Sequence, residues 1–170
     1  MNKIVWVMGE SATGKATFIK YAVDNPDCEL IQRLGYNRCK IIPVIDNEAS
    51  SYERIRIKDI VVDLLNNERE AVILIKWQAV DSIFLQYGDT LRRLASDTPD
   101  ILREIILLSV ESDILYARVQ KKSWWNDPNS YYTRERQDER VTEIKNHAKE
   151  LSKLGFKIIE IDSTNGYKLI

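Results

Sequence analysis

Apolar positions along this chain fall into two rhythms that take turns. Residues 3–8 form a short β-rich run. Residues 15–23 read as a helix that stops near Asn25-Pro26, because proline disfavours helix in the residue before it. No clear pattern marks 27–38. Residues 39–45 (CKIIPVI) read as extended, and the internal Pro43 demotes them to an edge or short strand. Over 51–67, Ile57, Ile60, Val61, Leu64 and Leu65 repeat with the spacing of one helical face. Residues 71–75 (AVILI) are continuously apolar, as in a strand covered on both faces of a parallel sheet. Val80, Ile83, Phe84, Tyr87, Leu91 and Leu94 mark a further helical stripe, closed by Asp97-Thr98-Pro99. A second buried strand at 105–110 leads to a helix around 114–121, and a polar, aromatic stretch, 123–132, follows. Val141, Ile144, Ala148 and Leu151 then trace a long helix that ends at Gly155, and 157–161 is the last strand.

Strands that alternate with helices predict right-handed crossovers and a parallel sheet with helices on both faces. The expected fold is therefore a three-layer α/β/α domain with a five-stranded parallel sheet, over residues 1–170.

Composition narrows the function. Of 170 residues, 44% are hydrophobic and 30% charged, and 25 basic against 26 acidic side chains leave a net charge of −1. That balance argues against a protein built to coat duplex nucleic acid, so an anionic partner is met locally. Cys28 and Cys39 lack metal-ligand spacing and His147 is the sole histidine, which indicates neither a zinc site nor a disulfide framework. No apolar run has the form of a signal peptide or reaches the length of a membrane span, so a cytoplasmic location without membrane association is expected.

The chemistry concentrates in Gly9-Glu10-Ser11-Ala12-Thr13-Gly14-Lys15, which fits G-x-x-x-x-G-K between a strand and a helix. Glycines let the chain turn back so that backbone N–H groups converge on one anion. The helix N-terminus adds partial positive charge, and Lys15 reaches the outer phosphates. A plain glycine-rich turn would share the glycines but gives no reason for the lysine. Ala16 stands where a hydroxyl usually meets magnesium. Asp46 and Asp81 follow two of the extended runs, and an acid at the carboxyl end of a parallel strand lies where ligands gather. Asp46 fits a base for an acceptor hydroxyl; Asp81 fits either an acceptor contact or a helix cap.

The segment Gly14-Lys15-Ala16-Thr17 is similar to the Gly-Lys-Gly-Thr loop of adenylate and cytidylate kinases. The chain thus resembles the P-loop kinase superfamily near the nucleoside monophosphate kinases, most closely in its first 20 residues. The resemblance implies ATP and Mg2+, with Gly9 to Lys15 and Ala16 around the phosphates and the Thr17 hydroxyl near them and the metal. It implies that Arg54 or Arg56 holds the acceptor. It further implies an arginine-bearing lid at about 122–136, entered past Arg118 and Lys122 and left through Arg134, Arg136 and Arg140, with Arg136-Gln137-Asp138 matching the family's Arg-x-Asp. Trp124, Trp125, Tyr131 and Tyr132 in that lid either pack it down or stack on a base. Three departures stand out: His147 where the family has an arginine, and Lys76 and Gln78 in place of an acidic residue at a strand end. The loop 161–166 would pass the adenine ring, and no guanine-reading sequence is present, which favours ATP as donor.

The function expected is an ATP-dependent phosphotransferase for a nucleotide, nucleoside or related small acceptor. Lys15, Arg118, Arg134, Arg136 and Asp46 would be its catalytic groups. A kinase for a hydroxyl on nucleic acid or a small metabolite is the alternative within the fold; a nucleotide-binding regulatory protein that transfers nothing is the alternative outside it.

Overall fold

A computed structural model describes residues 2–45, 57–76, 101–122 and 132–170. In chain order these form β1 (Lys3–Met8), α1 (Lys15–Asp24), α2 (Glu29–Leu34), β2 (Lys40–Val44), α3 (Ile57–Asn67), β3 (Ala71–Lys76), β4 (Leu102–Ser109), α4 (Ser112–Val119), α5 (Arg134–Ser152), β5 (Lys157–Asp162) and β6 (Lys168–Leu169).

The sheet runs β2-β3-β1-β4-β5-β6. Its first five strands are parallel, and β6 joins the far edge antiparallel to β5. Five parallel strands match the sequence expectation; the two-residue sixth strand is a correction, too short to carry any apolar period of its own. β1 lies centrally because every residue of Ile4–Met8 is buried and apolar, and such a strand needs cover on both faces.

Alternation along β1 splits the core in two. Ile4, Trp6 and Met8 face a cluster with Val61 of α3 and Ile144, Ala148 and Leu151 of α5. Val5 and Val7 face the opposite cluster, with Phe18, Ile19 and Ala22 of α1 and Ile31 and Leu34 of α2. Helices thus cover both sheet faces. Each fully buried large side chain contributes about 2 kcal/mol of transfer free energy, so the two clusters account for the bulk of the driving force.

At the amino ends of the strands, Glu104 is buried and doubly engaged. Lys3 Nζ donates to its Oε1 at 2.8 Å and the Tyr36 hydroxyl to its Oε2 at 2.5 Å. Asn2 bridges the carbonyls of Leu65 and Glu68 to the N–H of Ala71, fixing the turn between α3 and β3.

Several elements differ from expectation. α2 occupies the stretch that had no visible pattern, with Leu30 and Ile31 followed by Leu34 and a stop at Gly35. β4 starts at Leu102, three residues before its uninterrupted apolar run, because it pairs with β1 from Lys3 onward. α5 begins at Arg134, capped by the Thr133 hydroxyl on Arg136 N–H, well before its apolar stripe. The helical stripe from Val80 to Leu94 and the stretch 123–131 lie outside the described residues.

Candidate functional site

After β1 the chain is led by β2 and β3 to one side and by β4 to the other. The carboxyl end of β1 is therefore the point where strand order reverses, and ligands of open α/β sheets gather there. Gly9 begins the loop at this point. A Cβ on it would stand 2.5 Å from Thr13 Oγ1 and 3.1 Å from the Leu108 carbonyl oxygen, so no other residue fits. The loop folds on itself through the Thr13 N–H and hydroxyl, which both donate to the Glu10 carbonyl, at 3.2 and 2.8 Å. Ala12 has φ 67°, a left-handed conformation that costs a non-glycine residue on the order of 1 kcal/mol. Gly14 takes φ 88° as the residue preceding α1.

Lys15 is 8% exposed, and its ammonium donates to the carbonyls of Gly9 at 2.8 Å and Glu10 at 3.1 Å. Burial lowers its pKa to about 8. Glu10 opposes that shift, while Lys76, Lys122 and Arg140 add to it. An ammonium surrounded by three further cations is a group held ready for an anion.

Glu10 is the acidic member of this cluster, with a side chain only 1% exposed. Its Oε1 accepts the Ser11 N–H at 2.5 Å and its Oε2 accepts Arg140 Nε at 2.6 Å. One loop amide that would serve a phosphate is thus taken by a carboxylate. Tyr132 stands near this pair, and burial together with the charge of Glu10 pushes its hydroxyl above the ordinary tyrosine range.

The loop after β5 packs against the phosphate loop. Buried Ser163 donates its hydroxyl to the Thr13 carbonyl at 2.9 Å. Arg118 donates to the carbonyls of Ser163 at 3.1 Å and Thr164 at 2.8 Å. Thr164 in turn lowers the pKa of Asp162 by hydrogen bonding to its carboxylate. Tyr167 closes the segment against Phe18 and Tyr21 of α1, with ring centroids 5.2 and 4.9 Å away.

The arginines expected of a lid are distributed differently. Arg118 is bonded to the loop after β5. Arg134 Nε donates to Ser112 Oγ at 2.8 Å and its Nη1 pairs with Asp113, which ties α5 to the start of α4. Arg136 pairs with Glu139 at 3.1 Å along its own helix. Asp138, its supposed motif partner, accepts instead from Ser112 Oγ at 2.8 Å. Arg140, expected with Arg134 and Arg136 on the way out of a lid, is bonded instead to Glu10 of the phosphate loop. The unusual signal was Glu10 itself, because an acid inside an anion-binding turn requires a cation. Asp46, Arg54, Arg56 and Asp81 lie outside the described residues, as do Trp124, Trp125 and Tyr131.

The donors for magnesium do not fit a directly held ion among the described residues. Ala16 has no hydroxyl, Thr17 is an exposed residue of the first turn of α1, and β3 ends in Lys76 rather than an acid. No group of three or more His, Cys, Asp or Glu able to hold a metal occurs among them. Nor is any described helix long and apolar enough to cross a membrane.

A parallel sheet that reverses its order at a strand leading into G-x-x-x-x-G-K and a helix defines a three-layer α/β fold of the phosphate-loop type. No protein-family model matches this chain, and no curated protein matches it. Among solved structures it is similar to shikimate kinase from Bacteroides thetaiotaomicron, with 12% identity over 93% of this chain and 86% of that one and a TM-score of 0.44.

Proposed function

We propose that this protein is an ATP-dependent phosphotransferase that acts on a small, nucleotide-like acceptor. The observation that carries the reading is the buried Lys15 ammonium, seated on the Gly9 and Glu10 carbonyls with Lys76, Lys122 and Arg140 around it. Among the described residues the carboxylate acting on Lys15, that of Glu10, is already bonded to Arg140, and a polyphosphate supplies further negative charge. In the reaction, an acceptor oxygen forms a bond to the γ-phosphorus, the bond to the β,γ-bridging oxygen breaks, and the acceptor proton passes to a base. Lys15 and the loop amides neutralise the charge on the leaving oxygens. Asp46 is the base we assign, Arg54, Arg56 and Asp81 the acceptor contacts, and Thr17 a phosphate contact. Arg118, Arg134 and Arg136 would act only by exchanging their present partners for phosphate oxygens. The near-neutral net charge favours a small acceptor over nucleic acid.

One test decides between transfer and binding alone. ATP at 100 times its Kd should stabilise the fold by about 2.7 kcal/mol, and Lys15→Met should abolish that gain while leaving the fold intact. Labelled ATP offered with nucleotides, nucleosides, sugars and oligonucleotides then reveals the acceptor. Binding without transfer to any of them would favour the second reading, a nucleotide-binding regulatory module. That reading draws support from Ala16 and from Lys76 at the end of β3.

A further inference from the structure

Lys76 is the last residue of β3, the strand directly beside β1, and its Cα lies opposite Val7, two residues before Gly9. A carboxylate at such a strand end, together with a hydroxyl after the loop lysine, is what anchors magnesium in phosphate-loop NTPases. Here the two positions hold an ammonium and a methyl group. Both changes act in the same direction, since one removes a ligand and the other brings a charge that repels a cation. Lys76 is one of three cations whose charge lowers the Lys15 pKa. Among the described residues, the carboxylate that acts on Lys15 is Glu10, already shared between Arg140 and the Ser11 N–H.

We infer that the phosphate loop binds a nucleoside triphosphate without a divalent cation, Lys76 supplying from the end of β3 the positive charge that a metal held there would bring. This rests on the nucleotide-site reading above and goes further, because it names what neutralises the phosphates. An ammonium is a compact, flexible point charge with three donors, suited to the oxygens of two neighbouring phosphates at once.

The test is calorimetric titration of the full chain with ATP, and separately with inorganic tripolyphosphate, in magnesium and in EDTA. Wild type should bind ATP in both buffers with Kd values within about threefold of each other. Lys76→Met should lose about tenfold or more of its metal-free affinity, as expected for one charge-assisted contact. Lys76→Arg should retain that affinity. Lys76→Asp should lose it and recover binding only with magnesium, having regained a metal-binding carboxylate. Binding by wild type in magnesium but not in EDTA overturns the inference and leaves the nucleotide site standing, and this outcome needs no variant to fold. Metal-free binding by a folded Lys76→Met equal to that of wild type also overturns it. No binding in either buffer overturns both.

Discussion

Arg140 Nε and Glu10 Oε2 lie 2.6 Å apart, a bond that joins the middle of α5 to the second residue of the phosphate loop across 130 positions of chain. The pair is largely withdrawn from water, with side chains 15% and 1% exposed. Removing the arginine alone strands a buried carboxylate. Arg140→Met should therefore destabilise the fold by about 3 kcal/mol, and Arg140→Met with Glu10→Gln should recover most of that loss. Urea unfolding of the two single variants and the double variant measures the coupling. Glu10→Gln alone should tighten ATP binding, by about 1 kcal/mol or about fivefold, because it withdraws a negative charge from beside the phosphates.

The Lys15 ammonium gives the site a proton signature. Burial in the empty loop lowers its pKa from the ordinary 10.5 to about 8. Unfolding restores the higher value, so between those two limits the unfolded chain binds more protons and stability rises with pH. Below pH 8 both states are protonated and the cost of burying the charge is fully present. A bound polyphosphate favours the charged form and raises the pKa again. Titrations at pH 8 in buffers of different ionisation enthalpy should show uptake of about half a proton per ATP. At pH 6 the uptake should vanish, and ATP affinity should fall as pH climbs past 8. An uptake that does not change with pH would assign the proton elsewhere.

Gly9 leaves no room for a side chain, since an added Cβ would meet the Thr13 hydroxyl at 2.5 Å. Gly9→Ala should cost about 2 kcal/mol and weaken ATP binding by displacing Thr13 from the Glu10 carbonyl. In a Thr13→Ala background the same substitution should cost less, and a double-mutant cycle reads the difference. Equal costs in both backgrounds would show that the Leu108 carbonyl sets the limit.

Tyr36 provides a control remote from the site. Its hydroxyl donates to buried Glu104 at the amino ends of the strands, and burial with that neighbouring charge raises its pKa well above the ordinary value. Tyr36→Phe should cost about 1–3 kcal/mol by leaving a carboxylate oxygen without that donor, and ATP affinity should be unchanged. A spectrophotometric titration should find this phenol ionising only as the protein unfolds.

Where side chains repeat with a period, the chain announces its structure. The β-rich run over 3–8 and the continuous apolar run over 71–75 read as strands, and the fixed spacing from Gly9 to Lys15 identifies the loop between β1 and α1. α2 was hidden because six residues hold too few turns for a stripe to emerge. β6 was hidden because two residues carry no period at all. The polar side of the site was less legible for a different reason. Residue type marked Arg118, Arg134 and Arg136 as cations, but their partners are set by helix placement, and those partners are Ser163, Asp113 and Glu139 respectively. Arg140 reaches Glu10 only because α5 crosses the sheet face beside β1, a juxtaposition that local sequence does not encode.

Pro43 has a consequence for how the molecule keeps to itself. Lys40 N–H bonds inward to the Glu70 carbonyl, so by strand alternation the backbone of Ile41 and Pro43 faces away from β3, and at Pro43 there is no donor to offer. Because β2 is the last strand on its side among the described residues, an incoming strand would find the hydrogen-bonding row interrupted at mid-length. At the opposite border β6 runs antiparallel to β5 for only two residues. Among the described residues, neither border of the sheet offers an incoming strand a long unbroken row of backbone donors.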